Sequence, residues 1–208
     1  MKNLFRFFHP AASGFTLLEL LVSVGIFALL ISSIVGVYLS SNQGQRAIWG
    51  QLTSEGDARR VLKDFTAEAR TAAASATGAY PIERADNNEF IFYSNIDADS
   101  ARERVRYFLS GTMLKKGIVQ PTGNPPNYNL GQEAASTLAS YVVNGAVPVF
   151  TYYNESYTGS EVPLAMPVDV TKVRVVGLSL WLSTTGAVTS TSPLQVRTQV
   201  GVRNLKSN

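Results

Sequence analysis

The sequence contains no cysteine, and His9 is the single histidine among its 208 residues. Without cysteine the chain can form neither disulfides nor thiolate metal sites, and it has no thiol nucleophile. One histidine cannot build a zinc site of several imidazoles. If His9 is removed with the N-terminal segment described below, no imidazole base remains for a Ser-His-Asp hydrolase. We therefore do not expect an enzyme.

Charged residues are also scarce, at 16% of the chain against 45% hydrophobic residues, and the formal net charge is +3. This composition fits a globular domain with one very apolar element and excludes a disordered chain. Lys2 and Arg6 have no acidic neighbour, whereas the other basic residues are dispersed among Asp and Glu. Nucleic acid is therefore not expected as a direct ligand.

An apolar segment without ionised side chains runs from Leu20 to Leu39, just after the basic segment 1–14. About twenty helical residues are enough to cross a bilayer core of roughly 30 Å. A secretory signal peptide would have a shorter apolar region followed by an A-x-A-like site, which is missing after Leu39. A plain membrane anchor fits the basic residues on the cytoplasmic side but leaves Glu19 unexplained, because an acid in an apolar helix is costly and usually functional.

The stretch from Gly14 to Leu21, GFTLLELL, resembles the cleavage and methylation signature of type IV prepilins and pseudopilins. The resemblance implies cleavage after Gly14 by a prepilin peptidase, followed by N-methylation of the new Phe15 amine by the same enzyme. It also implies that the apolar helix stays in membrane lipid of the inner membrane, with the leader in the cytoplasm and the C-terminal domain outside. The expected partners are other pilin or pseudopilin subunits and an inner-membrane assembly platform.

The same resemblance assigns assembly to the start of the helix. Glu19 of an incoming subunit would pair with the Phe15 amine of its neighbour, which neutralises two charges that are costly when unpaired in apolar surroundings. The apolar residues expected to pack against equivalent helices include Leu17, Leu18, Leu20 and Leu21.

Beyond Leu39 the chain stays periodic, which predicts one long helix from about Phe15 to about Ala76. Its second half carries apolar residues at three- and four-residue steps, which are Ile48, Leu52, Ala58, Val61, Leu62, Phe65, Ala69 and Ala73. The chain is thus divided into a leader (1–14), a transmembrane and assembly helix (15–39), an amphipathic continuation (40–76) and a globular β-rich domain (77–208). We predict an α+β fold in which the long helix packs on a C-terminal antiparallel sheet, as in pilins.

Short strand patterns fill the C-terminal part of the chain. The predicted strands cover 89–93, 104–109, 113–119, 147–153, 173–182 and 194–203, and residues 131–142 are a helix candidate. Residues 120–128 and 154–169 are predicted loops, whose tyrosines Tyr128 and Tyr157 offer a binding surface or are ordinary loop residues.

The later segments resemble, over short pieces such as Glu103 to Leu109, minor pilins of the W type and the J-type minor pseudopilin of type II secretion. This resemblance implies an initiating or tip subunit of a type IV pilus or a type II secretion pseudopilus. The alternative is a membrane-anchored extracytoplasmic binding module that does not polymerise.

The segment from Asn95 to Glu103 has oxygen-bearing side chains at alternate positions, Asn95, Asp97 and Asp99, with Glu103 four residues further on. Calcium binds six to eight oxygens, and such a spacing supplies several of them. The segment departs from an EF-hand loop, because Ser100 stands where glycine is expected. Two hypotheses stay open: a calcium loop, with calcium the only cofactor considered, or a hairpin turn with local hydrogen bonds.

Overall fold

The computed structural model describes Gly14 and residues 16–97, 99–183 and 193–205, with the backbone alone for residues 39–54. The chain forms two compact units, residues 1–45 and residues 46–208. Phe15 and the leader residues 1–13, with His9, lie outside the described residues, as does Ala98.

The described residues contain one α-helix and ten strands. They are α1 Leu17–Arg70, β1 Ile82–Ala85, β2 Glu89–Ser94, β3 Glu103–Ser110, β4 Met113–Val119, β5 Pro121–Thr122, β6 Asn127–Tyr128, β7 Ala134–Ala139, β8 Phe150–Tyr153, β9 Val175–Leu182 and β10 Leu194–Gly201. Short 3-10 helices cover Leu130–Gln132, Val170–Lys172 and Arg203–Leu205. The fold is α+β, with an N-terminal apolar helix and C-terminal antiparallel sheets, which is consistent with a pilin-like fold.

The strands form two main antiparallel sheets within the second unit. A five-stranded sheet has the order β1-β2-β3-β4-β7, and a three-stranded sheet has the order β10-β9-β8. A tight turn joins β3 to β4 at Gly111, whose φ of +61° favours glycine. The predicted loop 120–128 contains only the two-residue strands β5 and β6.

The second part of α1 contributes its apolar face to the core of the second unit. Ala58, Val61, Phe65 and Ala69 are all at most 1% exposed, which confirms this part of the predicted pattern. The Phe65 ring has its centre 5.3 Å from that of Tyr107 on β3, and 6.0 Å from that of Phe150 on β8. The helix therefore packs against both sheets, because its three- and four-residue spacing puts these side chains on one face.

The helix ends at Arg70, six residues before the predicted end at Ala76. The Ser94 hydroxyl of β2 donates to the Glu68 carbonyl at 3.0 Å, and the Ala73 N–H donates to the Tyr93 carbonyl at 2.9 Å. Alanine favours helix in isolation, but here the backbone after Arg70 bonds to β2 instead. As a result Ala72, not the predicted Ala73, is buried.

The helix predicted over residues 131–142 is wrong. Residues Ala134–Ala139 form β7, which pairs with β4 at the edge of the five-stranded sheet. This segment is rich in Ala, Ser and Thr and has few large apolar side chains to bury on a helical face, so strand pairing decides its conformation. The short strand β1 was not predicted; it pairs with β2 across a register shift between Ile82 and Arg84.

Candidate functional site

The first turn of α1 is capped by Thr16. Its hydroxyl oxygen accepts a hydrogen bond from the Glu19 N–H at 3.3 Å, and its carbonyl accepts from the Leu20 N–H at 3.2 Å. An acid in the first helical turn is favoured by the helix dipole. Thr16 and Glu19 have the spacing of a capping box, S/T-x-x-E, and this sequence signal would have identified the helix start. Within the described part of the chain, the Glu19 carboxylate has no hydrogen bond or ion pair.

The segment Leu17–Tyr38 has the length and the composition of a membrane span. Its 22 residues have a mean hydropathy of 2.6, and none of the segment is buried within the protein. At 1.5 Å per residue it is about 33 Å long, slightly more than the bilayer core. The exposure distinguishes it from the core helix of a soluble protein and supports anchoring of the protein in a membrane through its N-terminus.

Serine hydroxyls within this span are satisfied by the helix itself. Ser23 donates to the Glu19 carbonyl at 2.7 Å, Ser32 to the Ala28 carbonyl at 2.5 Å, and Ser33 to the Leu29 carbonyl at 3.0 Å. A hydroxyl bonded in this way costs little in hydrocarbon, because no donor is left without an acceptor. The serines are therefore compatible with an apolar environment.

Gly14 and the predicted assembly leucines are not needed for packing among the described residues. A Cβ added to Gly14 would meet no atom of the described residues within 4 Å. Leu17, Leu18, Leu20 and Leu21 are between 59% and 81% exposed. Apolar surface of this extent in a monomer marks a contact with lipid or with another protein.

The turn between β2 and β3, residues 95–102, brings together three of the four predicted calcium ligands. Carboxylate oxygens of Asp97, Asp99 and Glu103 lie within 4.8 Å of one another. The Asn95 amide nitrogen instead donates to the Asp99 carbonyl at 2.5 Å and so closes the turn. Local bonds of the hairpin type are present as well, from the Asp99 N–H to Asp97 Oδ1 at 3.1 Å and from the Ala101 N–H to Asp99 Oδ1 at 2.7 Å.

The acids of this turn differ in environment. The first residue of β3, Glu103, is completely buried, whereas Asp97 and Asp99 are exposed. Burial raises the pKa of Glu103. Hydrogen bonds from the backbone N–H groups of Ile96 and of Glu103 itself lower it in part, and the charges of Asp97 and Asp99 add a smaller rise. The pKa of Asp97 is lowered, chiefly by the hydrogen bond from the Asp99 N–H.

Both loop tyrosines make contacts within the domain. Tyr128 is half-buried, and its hydroxyl donates to the Arg102 carbonyl at 2.6 Å. Tyr157 is also half-buried; its ring centre lies 4.1 Å from that of Tyr153, and its hydroxyl donates to Gln199 Oε1 at 2.8 Å. Tyr128 therefore holds its loop against the turn between β2 and β3, and Tyr157 holds its loop against β8 and β10.

The comparisons with known proteins bear on the N-terminal segment. Residues 10–35 match the family model described as the prokaryotic N-terminal methylation motif. A comparison with curated proteins found no match to the chain. The matched residues include Gly14, Glu19 and most of the exposed apolar helix, and this motif supports a type IV pilin-like or pseudopilin precursor.

Proposed function

We propose that the protein is a minor pilin or pseudopilin subunit, a structural component of a type IV pilus or of a type II secretion pseudopilus. The observation that carries the proposal is the match of residues 10–35 to the methylation motif, which covers most of the exposed apolar segment Leu17–Tyr38. Neither catalytic function nor a bound cofactor is needed for this role.

The first step is removal of residues 1–14 by a prepilin peptidase and methylation of the Phe15 amine. Gly14 is compatible with this step, because an added Cβ would meet no atom of the described residues within 4 Å. The resemblance to prepilins puts the cleavage site after Gly14, where a glycine would allow close approach of the peptidase to the backbone.

The second step is lateral assembly through the helix. Leu17, Leu18, Leu20 and Leu21 expose apolar surface that lipid covers before assembly and neighbouring helices cover after it. Glu19 supports this step because its carboxylate has no partner among the described residues. An ionised carboxylate in an apolar contact is costly unless it is paired, and the amine of a neighbouring subunit supplies a charge of opposite sign.

The domain that follows the membrane segment covers residues 46–205 and has its own hydrophobic core. After assembly it would lie outside the cytoplasm. A large β-rich domain fits an initiating or tip subunit, whose exposed end is not covered by a further copy. The partners would be other pilin or pseudopilin subunits and the assembly platform of the inner membrane.

Mass spectrometry of the chain from membranes of cells that contain a prepilin peptidase tests the proposal. We expect a mature chain that begins at Phe15 and carries one N-terminal methyl group. Gly14→Leu should leave residues 1–14 attached, whereas the matched variant Gly25→Leu should be processed like the wild type, because Gly25 also has no atom within 4 Å of its Cβ position. A wild-type chain that begins at Met1, or beyond Leu39, would contradict the proposal and favour a simple anchor or a secreted protein.

A further inference from the structure

The turn between β2 and β3 contains a buried acid with an incomplete set of partners. The Glu103 side chain is 0% exposed. Its Oε2 atom accepts from the Ile96 N–H at 2.9 Å, whereas its Oε1 atom is buried and has no hydrogen-bond partner among the described residues. A buried carboxylate oxygen without a partner is costly, and buried polar atoms in native proteins are nearly always satisfied. The Oε1 atom therefore lacks a positively charged or donating group.

The arginines on either side of Glu103 do not supply that group. Arg102 Nη1 donates to the Ala74 carbonyl at 3.0 Å. Arg104 forms two hydrogen bonds of 2.7 Å with the Glu83 carboxylate. Glu103 faces two further acids instead, since oxygens of Asp97 and Asp99 lie within 4.8 Å of its carboxylate. Among the described residues no basic side chain is paired with these three carboxylates, so a small cation between them would stabilise them.

We propose that Asp97, Asp99 and Glu103 bind a calcium ion. Calcium–oxygen distances of about 2.3–2.6 Å allow one ion to bridge oxygens that are up to about 5 Å apart, and the three carboxylates meet this condition. Magnesium bonds are about 2.0–2.1 Å long and need near-ideal octahedral geometry, which an open turn with two exposed aspartates does not impose. The donors are all oxygens, which excludes metals that prefer nitrogen or sulfur.

The turn has further oxygens for a calcium ion. Backbone N–H groups bond to the Oδ1 atoms of Asp97 and Asp99. The Oδ2 atom of each carboxylate is the one that could face an ion. Asp97 Oδ2 accepts from Gln120 Nε2 at 3.2 Å. Rotation of this amide by half a turn would bring Gln120 Oε1 to the same position, because the two ends of an amide occupy nearly equal space. Water completes the coordination of many calcium sites of this open kind.

Calorimetric titration and thermal unfolding of the full-length protein in detergent, first treated with a chelator, test the site. Calcium chloride at ten times the dissociation constant should raise the melting temperature by about 3–6 °C. Asp97→Asn and Asp99→Asn should each weaken calcium binding at least tenfold while the protein still folds, because both side chains are exposed. Glu103→Gln should abolish the response to calcium.

Glu155→Gln is the matched control, because Glu155 is exposed on another loop and lies outside the three-carboxylate cluster. It should keep the full calcium response. Equal melting temperatures with calcium and with chelator, an equal or larger response to magnesium chloride, or an unchanged response in both aspartate variants would each overturn the proposal. If Glu103→Gln does not fold, the two aspartate variants alone decide.

Discussion

The two parts of α1 have the same backbone conformation but opposite surroundings. In Leu17–Tyr38 the large apolar side chains are exposed on every face, and Phe27 is 66% exposed. In the later part only one face is apolar, and Phe65 on that face is 0% exposed. The helical backbone conformation alone therefore does not indicate whether the surroundings that stabilise a helix belong to its own domain. The distribution of apolar residues around the axis indicates whether the helix is stabilised by its own chain or by an environment outside it.

The largest predicted effect comes from removing the same side chain in each part. Phe65→Ala should lower the free energy of unfolding by about 3–5 kcal/mol, because the ring is buried against Phe90, Tyr107 and Phe150 and its loss leaves a cavity. Phe27→Ala should leave the unfolding of the domain unchanged. Denaturant unfolding of the full-length protein in detergent measures both.

A loss of stability of similar size in both variants would contradict this distinction. It would mean that Phe27 is packed within the protein, contrary to its exposure. An unaffected Phe65→Ala variant would mean that the helix does not contribute to the core.

Glu19 and Glu68, one in each part of α1, differ in their surroundings as Phe27 and Phe65 do. Glu19 has no side-chain partner among the described residues, whereas Glu68 is held inside the domain. Glu68 Oε2 accepts from the Tyr107 hydroxyl at 2.8 Å, and Glu68 Oε1 pairs with the Lys116 ammonium. The Glu68 and Lys116 side chains are only 14% and 12% exposed, so this ion pair is largely shielded from water.

Glu68→Leu should destabilise the domain by about 3 kcal/mol, because it leaves the Lys116 ammonium buried without a counter-charge. The double variant Glu68→Leu, Lys116→Met should cost less than the sum of the two single variants, by about 1–3 kcal/mol. A double-mutant cycle by denaturant unfolding measures this coupling.

The control for this cycle is the pair Arg60 and Asp64 on the same helix, 3.9 Å apart, with side chains 83% and 39% exposed. Its coupling should stay below about 0.5 kcal/mol. Equal coupling in the two pairs would show that burial does not strengthen the interaction between Glu68 and Lys116.

The comparison also explains which features could be predicted from the sequence. Short strand patterns predicted β2, β3, β4 and β10 within a few residues, because runs of branched and aromatic residues are typical of strands wherever they pair. The end of α1 and the strand β7 could not be predicted, because both depend on hydrogen bonds to strands far along the chain. Local propensity, which favours helix for alanine, gives the opposite answer at both places.

The candidate sites likewise combine features that local sequence indicates with features that depend on distant parts of the chain. The spacing of Gly14 and Glu19 is a local signal, and the family comparison covers these residues. The spacing of Asp97, Asp99 and Glu103 is local as well, but the burial of Glu103 depends on the fold of β3 around it. The hydroxyls of Tyr128 and Tyr157 bond to residues far along the chain, Arg102 and Gln199, and no local pattern indicates these partners.

The smallest predicted effect concerns an acid stabilised only by its own loop. Hydrogen bonds, first from the Thr158 hydroxyl and then from the Thr158 N–H, lower the pKa of Glu161 from its ordinary value of 4.5 to about 2. Because the folded pKa is depressed, the contribution of these bonds to stability is complete above the unfolded pKa and is lost as the pH falls from about 4.5 to about 2. Thr158→Val should move the pKa of Glu161 part of the way back towards 4.5, as measured by NMR titration of the side-chain carboxyl.

The matched variant Thr171→Val should raise the pKa of Asp169, whose main hydrogen-bond donor it removes, and leave the pKa of Glu161 unchanged. A pKa of Glu161 that is the same with and without the Thr158 hydroxyl would mean that the backbone N–H groups alone lower it. Glu161 should then keep its low pKa in any variant that preserves the loop backbone.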